Sequence, residues 1–351
     1  YKYMSNQPPI GVPQGAIRFN TDSQKLEFYA QDRWWEMATH SPLLSDFDAG
    51  DKTLGARGIF GTGTTPGTTD FIGFINIASN GNEQDFGDAS TEDQGASAGL
   101  SSRTRGIFAG GQDPSSPHNE IQFLTIAQKG DTVDFGDLTR ATRFCEGASN
   151  QTRGIIAGGL DQPSDTRVNT TEFITIASTG NANDFGDLTV NRGQGRGVSN
   201  GTRAIFACGQ SPTKVNTIDY FMIGTTGNAT DFGDATTSTD GNASGCNSIR
   251  GIFAGGTPNG DDDQKVIQYI TMATKGNALE FGELSVQRSF AGGVSSPIRS
   301  VFAGGYTDPA STHVTTMDYV NNMTLGDAVD FGDQSVNRDQ LGSFSNAHGG
   351  L

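Results

Sequence analysis

One phrase recurs six times along this chain: an arginine opening an apolar, glycine-ended run such as Arg-Gly-Ile-Phe-Ala-Gly-Gly, a variable loop, a second apolar segment, a Gly-Asn or Gly-Asp turn, and the tetrapeptide Asp-Phe-Gly-Asp. The arginines are Arg57, Arg105, Arg153, Arg203, Arg250 and Arg299, spaced 47 to 50 residues apart. Phe86, Phe135, Phe185, Phe232, Phe281 and Phe331 of the tetrapeptide keep the same beat, with Glu280 and Glu283 replacing the aspartates in one copy. The turn glycines Gly81, Gly130, Gly180, Gly227, Gly276 and Gly326 supply a third marker in the same register. A unit this short buries its apolar face only against its neighbours, so the copies must stack.

Each copy reads as four strands. The first is small and polar, as in Glu-Gly-Ala-Ser; the second is the glycine-ended run; the third alternates, as in Phe-Ile-Thr-Ile-Ala; the fourth ends at Asp-Phe-Gly-Asp. Helix signals are nearly absent. Four-stranded units packed in a ring make a β-propeller, with the paired glycines admitting close approach and the recurrent Phe filling the space between units. No first-strand pattern precedes Arg57, yet one is left over from Arg338 onward. The expectation is therefore an all-β fold: a six-bladed propeller over 53–351, closed by a C-terminal strand that completes the blade beginning at Arg57.

Glycine supplies 49 of 351 residues without a three-residue period, which fits many turns and not collagen. The net charge is −16, of which residues 1–48 carry only −2, so the repeats hold most of a field that repels phosphate backbones and anionic lipid. Nucleic-acid binding and membrane insertion are not expected. No apolar run reaches the roughly 18 residues of a membrane span, and no secretory leader pattern opens the sequence. Tyr1 in place of an initiator Met leaves room for residues upstream. Cys145, Cys208 and Cys246 occupy non-equivalent places in different repeats and read as core thiols.

The double glycine after an apolar strand, an aromatic near the end of the fourth strand, and an Arg such as Arg192, Arg288 or Arg338 opening the next unit resemble a kelch repeat. The chain departs from that pattern in placing Phe where kelch repeats usually have Trp, and in Asp93 and Asp240 near expected arginines. The resemblance implies a kelch-like propeller and no adaptor function, since no accompanying partner domain is present.

Ahead of the repeats, 1–14 reads as a Pro-rich extended connector, 15–40 as a short β-meander and 41–52 as a linker. Ile17 and Phe19 share one strand face, Asn20 to Gln24 turn, Leu26 and Phe28 share the returning face, and Trp34 or Trp35 caps the apolar side. About 25 residues hold such a sheet together poorly alone, so Ile17, Phe19, Phe28, Trp34 and Trp35 are expected to anchor it to the propeller, a copy of itself or a larger assembly. The segment is similar to a meander of bacteriophage tail fibres, and together with the Gly-Asn-Ala-x-Asp-Phe-Gly-Asp repeats it resembles structural proteins of marine tailed phages, especially those infecting cyanobacteria. That resemblance implies a virion protein, in tail, fibre or other appendage, assembling with other virion proteins as a homo-oligomer.

Connections at 61–70, 112–120, 160–172, 210–219, 257–268 and 306–318 differ in every copy and contain seven of the twelve prolines. Variable loops on a rigid scaffold suit recognition, and Asp113, His118, Asp161, Lys214, Asp261, Tyr306 and His313 are the candidate contacts for a host-surface glycan. Free drift of the loops explains the variability equally well. The Asp pairs of the tetrapeptide read as hydrogen-bond acceptors for turn amides or partners of the arginines, with rim calcium the rival. Four scattered histidines form no metal cluster, and no cofactor is expected. Six copies of Asp-Phe-Gly without the other kinase elements are strand ends. No catalytic set is found, since catalysis needs residues that break the repeat and converge; the reading is non-enzymatic. Capsid decoration or pure architecture is the alternative, and an envelope-glycan hydrolase the second.

Overall fold

The computed structural model describes residues 11–20, 25–36, 56–65, 67–90, 95–112, 116–260 and 262–351. Every regular element among them is a β-strand. The chain divides into two units, Tyr1–Leu54 and Gly55–Leu351.

In the first unit, Ile17–Asn20, Lys25–Ala30 and Arg33–Glu36 form an antiparallel meander in that order. Its register sets Ile17 against Phe28, Phe19 against Leu26 and Phe28 against Trp35, so strand alternation gathers five apolar side chains on one face. All five stay 36 to 63% exposed. The other face satisfies itself: Arg18 pairs with Glu27 at 2.8 Å and lies over Trp34, whose ring meets Tyr29 edge-on. Trp35 therefore stands on the apolar side and Trp34 on the opposite one. Residues 1–10 of the connector, the turn at 21–24, residues 37–40 and the linker 41–52 lie outside the described residues.

The second unit contains six four-stranded antiparallel sheets. Sheet 2 is Ala98–Ser101, Arg105–Ala109, Glu120–Thr125 and Val133–Asp137. Sheet 3 is Glu146–Ser149, Arg153–Ala157, Thr170–Thr175 and Asn183–Asp187. Sheet 4 is Arg196–Ser199, Arg203–Ala207, Thr217–Met222 and Thr230–Asp234. Sheet 5 is Ala243–Cys246, Arg250–Ala254, Val266–Thr271 and Leu279–Glu283. Sheet 6 is Gly292–Ser295, Arg299–Ala303, Thr316–Asn321 and Val329–Asp333. Sheet 1 draws on both ends of the unit: Gly342–Ser345 pairs with Arg57–Gly61, followed by Phe71–Asn76 and Gln84–Asp88.

The apolar second strand is buried on both faces, which is why it reads as a continuous run. In sheet 1, Ile59 enters a cluster with Phe108 and Leu124 of sheet 2, while Phe60 enters one with Val301 and Met317 of sheet 6. Four further clusters join sheets 2 and 3, 3 and 4, 4 and 5, and 5 and 6. Each tetrapeptide Phe sits in one of the six, at most 4% exposed.

Polar contacts repeat the same beat. Arg57, Arg105, Arg153, Arg203, Arg250 and Arg299 each donate through Nη1 to a carbonyl just past the third strand of the following sheet, those of Ile126, Ile176, Ile223, Met272, Asn322 and Ala78, at 2.7 to 3.4 Å. Each also lies over an aromatic ring of its own sheet, 4.4 to 5.0 Å from the centroid. The arginines thus serve carbonyls and rings. The tetrapeptide's final residue acts through its amide as donor: Asp88, Asp137, Asp187, Asp234, Glu283 and Asp333 donate to the Asn or Asp of the next sheet's turn at 3.0 to 3.2 Å. A Cβ on the tetrapeptide glycine would lie 2.2 to 2.6 Å from that turn's backbone, so the glycine is required by contact.

The unit-opening arginines are fully buried and charge-matched. Arg192 pairs with Asp219 at 3.1 Å, Arg288 with Asp318 at 2.9 Å, and Arg338 with Glu83. Each also donates to a second-strand carbonyl, of Phe206, Phe302 and Phe60 respectively. Sheet 1 has Gly73 where sheets 4 and 6 have the acid, and Glu83 occupies the vacated space; a Cβ on Gly73 would overlap its carboxyl. In sheets 2 and 5, where the opening arginine is replaced, the matching residue is neutral, Gln122 or Gln268; sheet 3 has Thr142 at that position and keeps a buried acid, Glu172, which accepts from Thr139 while Arg140 donates to the Gly158 and Thr170 carbonyls. Asp240 instead pairs with Lys214 at 3.1 Å, while Asp93 lies outside the described residues. A buried ion left without its partner is strongly destabilising, and the neutral glutamines of sheets 2 and 5 avoid it there.

Candidate functional site

Antiparallel pairing puts the connection between second and third strands at the same end as the start of the first strand. Isolated bridges tie these features: Gly95 to Gln112, Gly193 to Gln210 and Ser289 to Tyr306. Next in the chain, two residues before each first strand, come Ala96, Phe144, Gln194, Gly241, Phe290 and Gln340. All six adopt left-handed φ values between 54° and 66°. Their backbones form a collar. Phe144 N donates to Ala96 O, Gln194 to Phe144, Gly241 to Gln194, Phe290 to Gly241, Gln340 to Phe290 and Ala96 to Gln340, at 2.6 to 2.9 Å.

Phe144 and Phe290 meet at the collar with ring centroids 6.4 Å apart, and Arg143 lies 5.5 Å over Phe144. Arg196 reaches beneath them, donating through Nε to Asn242 O at 2.6 Å and through Nη2 to Ala291 O at 3.3 Å. The side-chain carbonyls of Gln194 and Gln340 have no hydrogen-bond partner.

Below the collar, the first strands enclose a cavity of about 70 Å³. Small-molecule sites start at roughly 300 Å³, so this space suits about two ordered waters. Its floor is laced by side chains at the last position of the first strand. Ser149 donates to Ser101 O, Ser199 to Ser149 O, Cys246 to Ser199 O, Ser345 to Ser295 O and Ser101 to Ser345 O. His348 lies there too, accepting from Gly350 N at Nδ1 (3.1 Å) with Nε2 3.4 Å from Ser149 Oγ; burial pushes its pKa down to about 4.

Between sheets 3 and 4, Arg192 is shared by Asp219 at 3.1 Å and Glu146 at 3.4 Å, all three fully buried. An ion pair ordinarily lowers a carboxyl's pKa. Here desolvation dominates, Asp219 competes for the guanidinium, and no well-aligned hydrogen bond reaches either Glu146 oxygen, so its pKa is pushed up to about 7. The cysteines are free and buried, and burial raises the Cys145 and Cys208 thiols to about 11. Among the described residues no group of three or more His, Cys, Asp or Glu is arranged to hold a metal, and no helix is long and apolar enough to cross a membrane.

The five described loop residues among the seven expected to contact a ligand do not converge on one spot. Asp113 and Asp261 lie outside the described residues. His118 is half-buried with Nε2 unpartnered, and Asp161 stands 3.9 Å from Arg140. Lys214 is held by Asp240 and Pro258 O, while Tyr306 meets His313, whose Nε2 is 3.6 Å from Asp339. Neighbouring connections are bound to each other as well: Asn259 accepts from Lys214 N and donates to Lys214 O, and Asp308 N donates to Asp263. No family model matches the chain, and no curated protein matches it in sequence. What the structure does bring together, at the collar, is Phe144, Phe290, Gln194 and Gln340, none of which sequence reasoning singled out. A signal was present: one position two residues before a first strand reads Ala, Phe, Gln, Gly, Phe, Gln around six otherwise similar units.

Proposed function

We propose that the six sheets are blades of a closed, kelch-like β-propeller, and that the protein is a non-enzymatic structural component of a tailed-phage virion that presents this propeller for host-surface recognition. The collar carries the propeller reading, because its six hydrogen bonds leave Ala96 and return to it. Supporting it are the succession of first-strand neighbours through sheets 2, 3, 4, 5, 6, 1 and back to 2, and the strand Gly342–Ser345 that joins both ends of the unit.

Recognition is assigned to the end bearing the connections, because departures from sixfold sameness gather there. The outer edges suit a body that must not aggregate: every fourth strand carries two acids, from Asp85 and Asp88 through Asp330 and Asp333, and charge on an edge discourages strand addition. Attachment falls to the meander, whose apolar face of Ile17, Phe19, Leu26, Phe28 and Trp35 is large for so small a sheet. Other virion proteins, or further copies of the chain, would cover it.

Antibodies raised against the protein should decorate intact phage particles, and fluorescently labelled protein should stain marine cyanobacterial cells. Undecorated particles would sink the virion assignment. Decorated particles with unstained cells would leave architecture or capsid decoration in place of recognition, and sugar released from envelope glycans would establish a hydrolase.

A further inference from the structure

We propose that the collar mouth is a shallow binding site for the apolar face of a neutral sugar ring, which rests on Phe144 and Phe290 while its hydroxyls donate to the side-chain carbonyls of Gln194 and Gln340. This rests on the recognition reading above and gives it a place and a ligand class.

Conformational cost is the first argument. Left-handed φ suits glycine, and a bulky side chain there is an outlier that asks for a reason. Phe144 and Phe290 sit at φ 56° and 54° in a collar whose six positions are all left-handed, and Gly241 leaves the space over which the Phe290 ring lies. Packing against each other and over Gly241 accounts for only part of these rings. The aromatic and aliphatic plugs of this core are almost wholly enclosed, whereas these two rings are partly exposed at the mouth.

The second argument is unmet hydrogen bonding. Two amide carbonyl oxygens beside the rings are buried without donors, and turning them outward to a ligand that donates would satisfy them. Arg196 is engaged by two backbone carbonyls, leaving an aromatic surface edged by neutral acceptors. Hydroxyls around an apolar ring face match that chemistry, and CH groups pack against phenyl faces as other apolar groups do. The strongly acidic chain disfavours a negatively charged sugar.

Size then fixes the pose. The space lined by the collar residues and Arg196 is about 10 Å³, room for one water at most. The sugar must lie across the mouth, and the glutamine carbonyls meet its hydroxyls by rotating about their soft terminal torsions.

Saturation-transfer NMR on the full chain tests this, with methyl α-D-glucopyranoside, methyl α-D-mannopyranoside and methyl β-D-galactopyranoside as probes and sodium glucuronate as the charged counterpart. Transfer to ring protons of at least one methyl glycoside is expected, with little to glucuronate. It should fall at least tenfold in the double variants Phe144→Gly with Phe290→Gly and Gln194→Leu with Gln340→Leu. Glycine relaxes the backbone at φ near 55°, so the first variant is expected to fold, with thermal unfolding as the check. The leucine pair keeps the rings and supplies the same test if the glycine pair unfolds. Absence of transfer from the wild-type protein with all three glycosides, or undiminished transfer in a folded variant, would overturn the proposal. Cell staining separates the two readings: equal staining by wild type and glycine variant refutes the collar site alone, whereas a wild type that stains no cells refutes recognition.

Discussion

Glu146→Gln should remove a pH dependence that the wild-type protein carries between mild acid and neutrality. Glu146 is enclosed between sheets 3 and 4 and titrates near 7 in the fold, against 4.5 in an exposed chain. The folded state therefore holds a proton that the unfolded state has released over that interval. Stability from this group is fully present below pH 4.5 and is lost as pH rises through 7. A difference of 2.5 units at 1.36 kcal/mol each corresponds to about 3 kcal/mol. Burial is the largest cause, with Arg192 and Arg196 opposing it and Asp219 reinforcing it. Other raised carboxyls, Asp88, Asp240, Asp263 and Asp339, are common to both proteins and cancel in the comparison. Urea unfolding at pH 5 and pH 8.5 should show the wild type losing about 2.5 kcal/mol more than the glutamine variant across that range. Parallel stability curves would mean that Arg192 keeps Glu146 ionised in spite of sharing itself with Asp219, and the argument from desolvation would fail.

Replacing Gly136 by Ala should cost about 2 kcal/mol, since the new Cβ meets Gly180 backbone 2.6 Å away at φ +143°, whereas Gly81→Ala, with nothing within 4 Å, should stay within about 0.5 kcal/mol; denaturant midpoints compare them, and equal effects would refute the contact argument. Phe344→Ala removes a ring packed 4.9 Å from Phe108 and should cost about 3–5 kcal/mol, lowering the single thermal transition by on the order of 10 °C; a shift of only a degree or two would count against the C-terminal strand as a clasp. All three cysteines should resist iodoacetamide at pH 8 in the native protein and react after denaturation, as mass spectrometry would show; ready native alkylation would contradict their burial and the raised thiols of Cys145 and Cys208.

Legibility in the sequence followed the repeat. Six copies of one tetrapeptide gave the strand count of each unit, and one surplus segment after Arg338 gave the partner of Arg57–Gly61, because pairing and apolar alternation are short-range constraints repeated six times. The role of the tetrapeptide was only partly visible. Its carboxylates were expected to accept from turns or pair with arginines, yet the main chain donates and the arginines serve carbonyls in the next sheet. Only the distance between adjacent sheets, set by two glycines in contact, decides which group reaches which. Glu83 shows the same limit: its service to Arg338 depends on the empty space above Gly73, which no linear pattern displays. The meander's facing residues followed from period two, but which tryptophan covers which face depended on the register of Arg33–Glu36. Collar residues escaped notice because the one varying position before each first strand shows its variety in the sequence but not its left-handed backbone or its neighbours around the ring.

The pairing of Gly342–Ser345 with Arg57–Gly61 also governs how this molecule is made. Arg57 N donates to Asn346 across 289 residues, so the strand Arg57–Gly61 waits with an open edge while the ribosome makes the five sheets between. Closing so long a loop costs on the order of 5 kcal/mol in chain entropy, recovered only when Gly342–Ser345 docks. A truncated translation product thus leaves the tunnel with a sticky border and no partner for it, a state that chaperones and proteases are well suited to recognise.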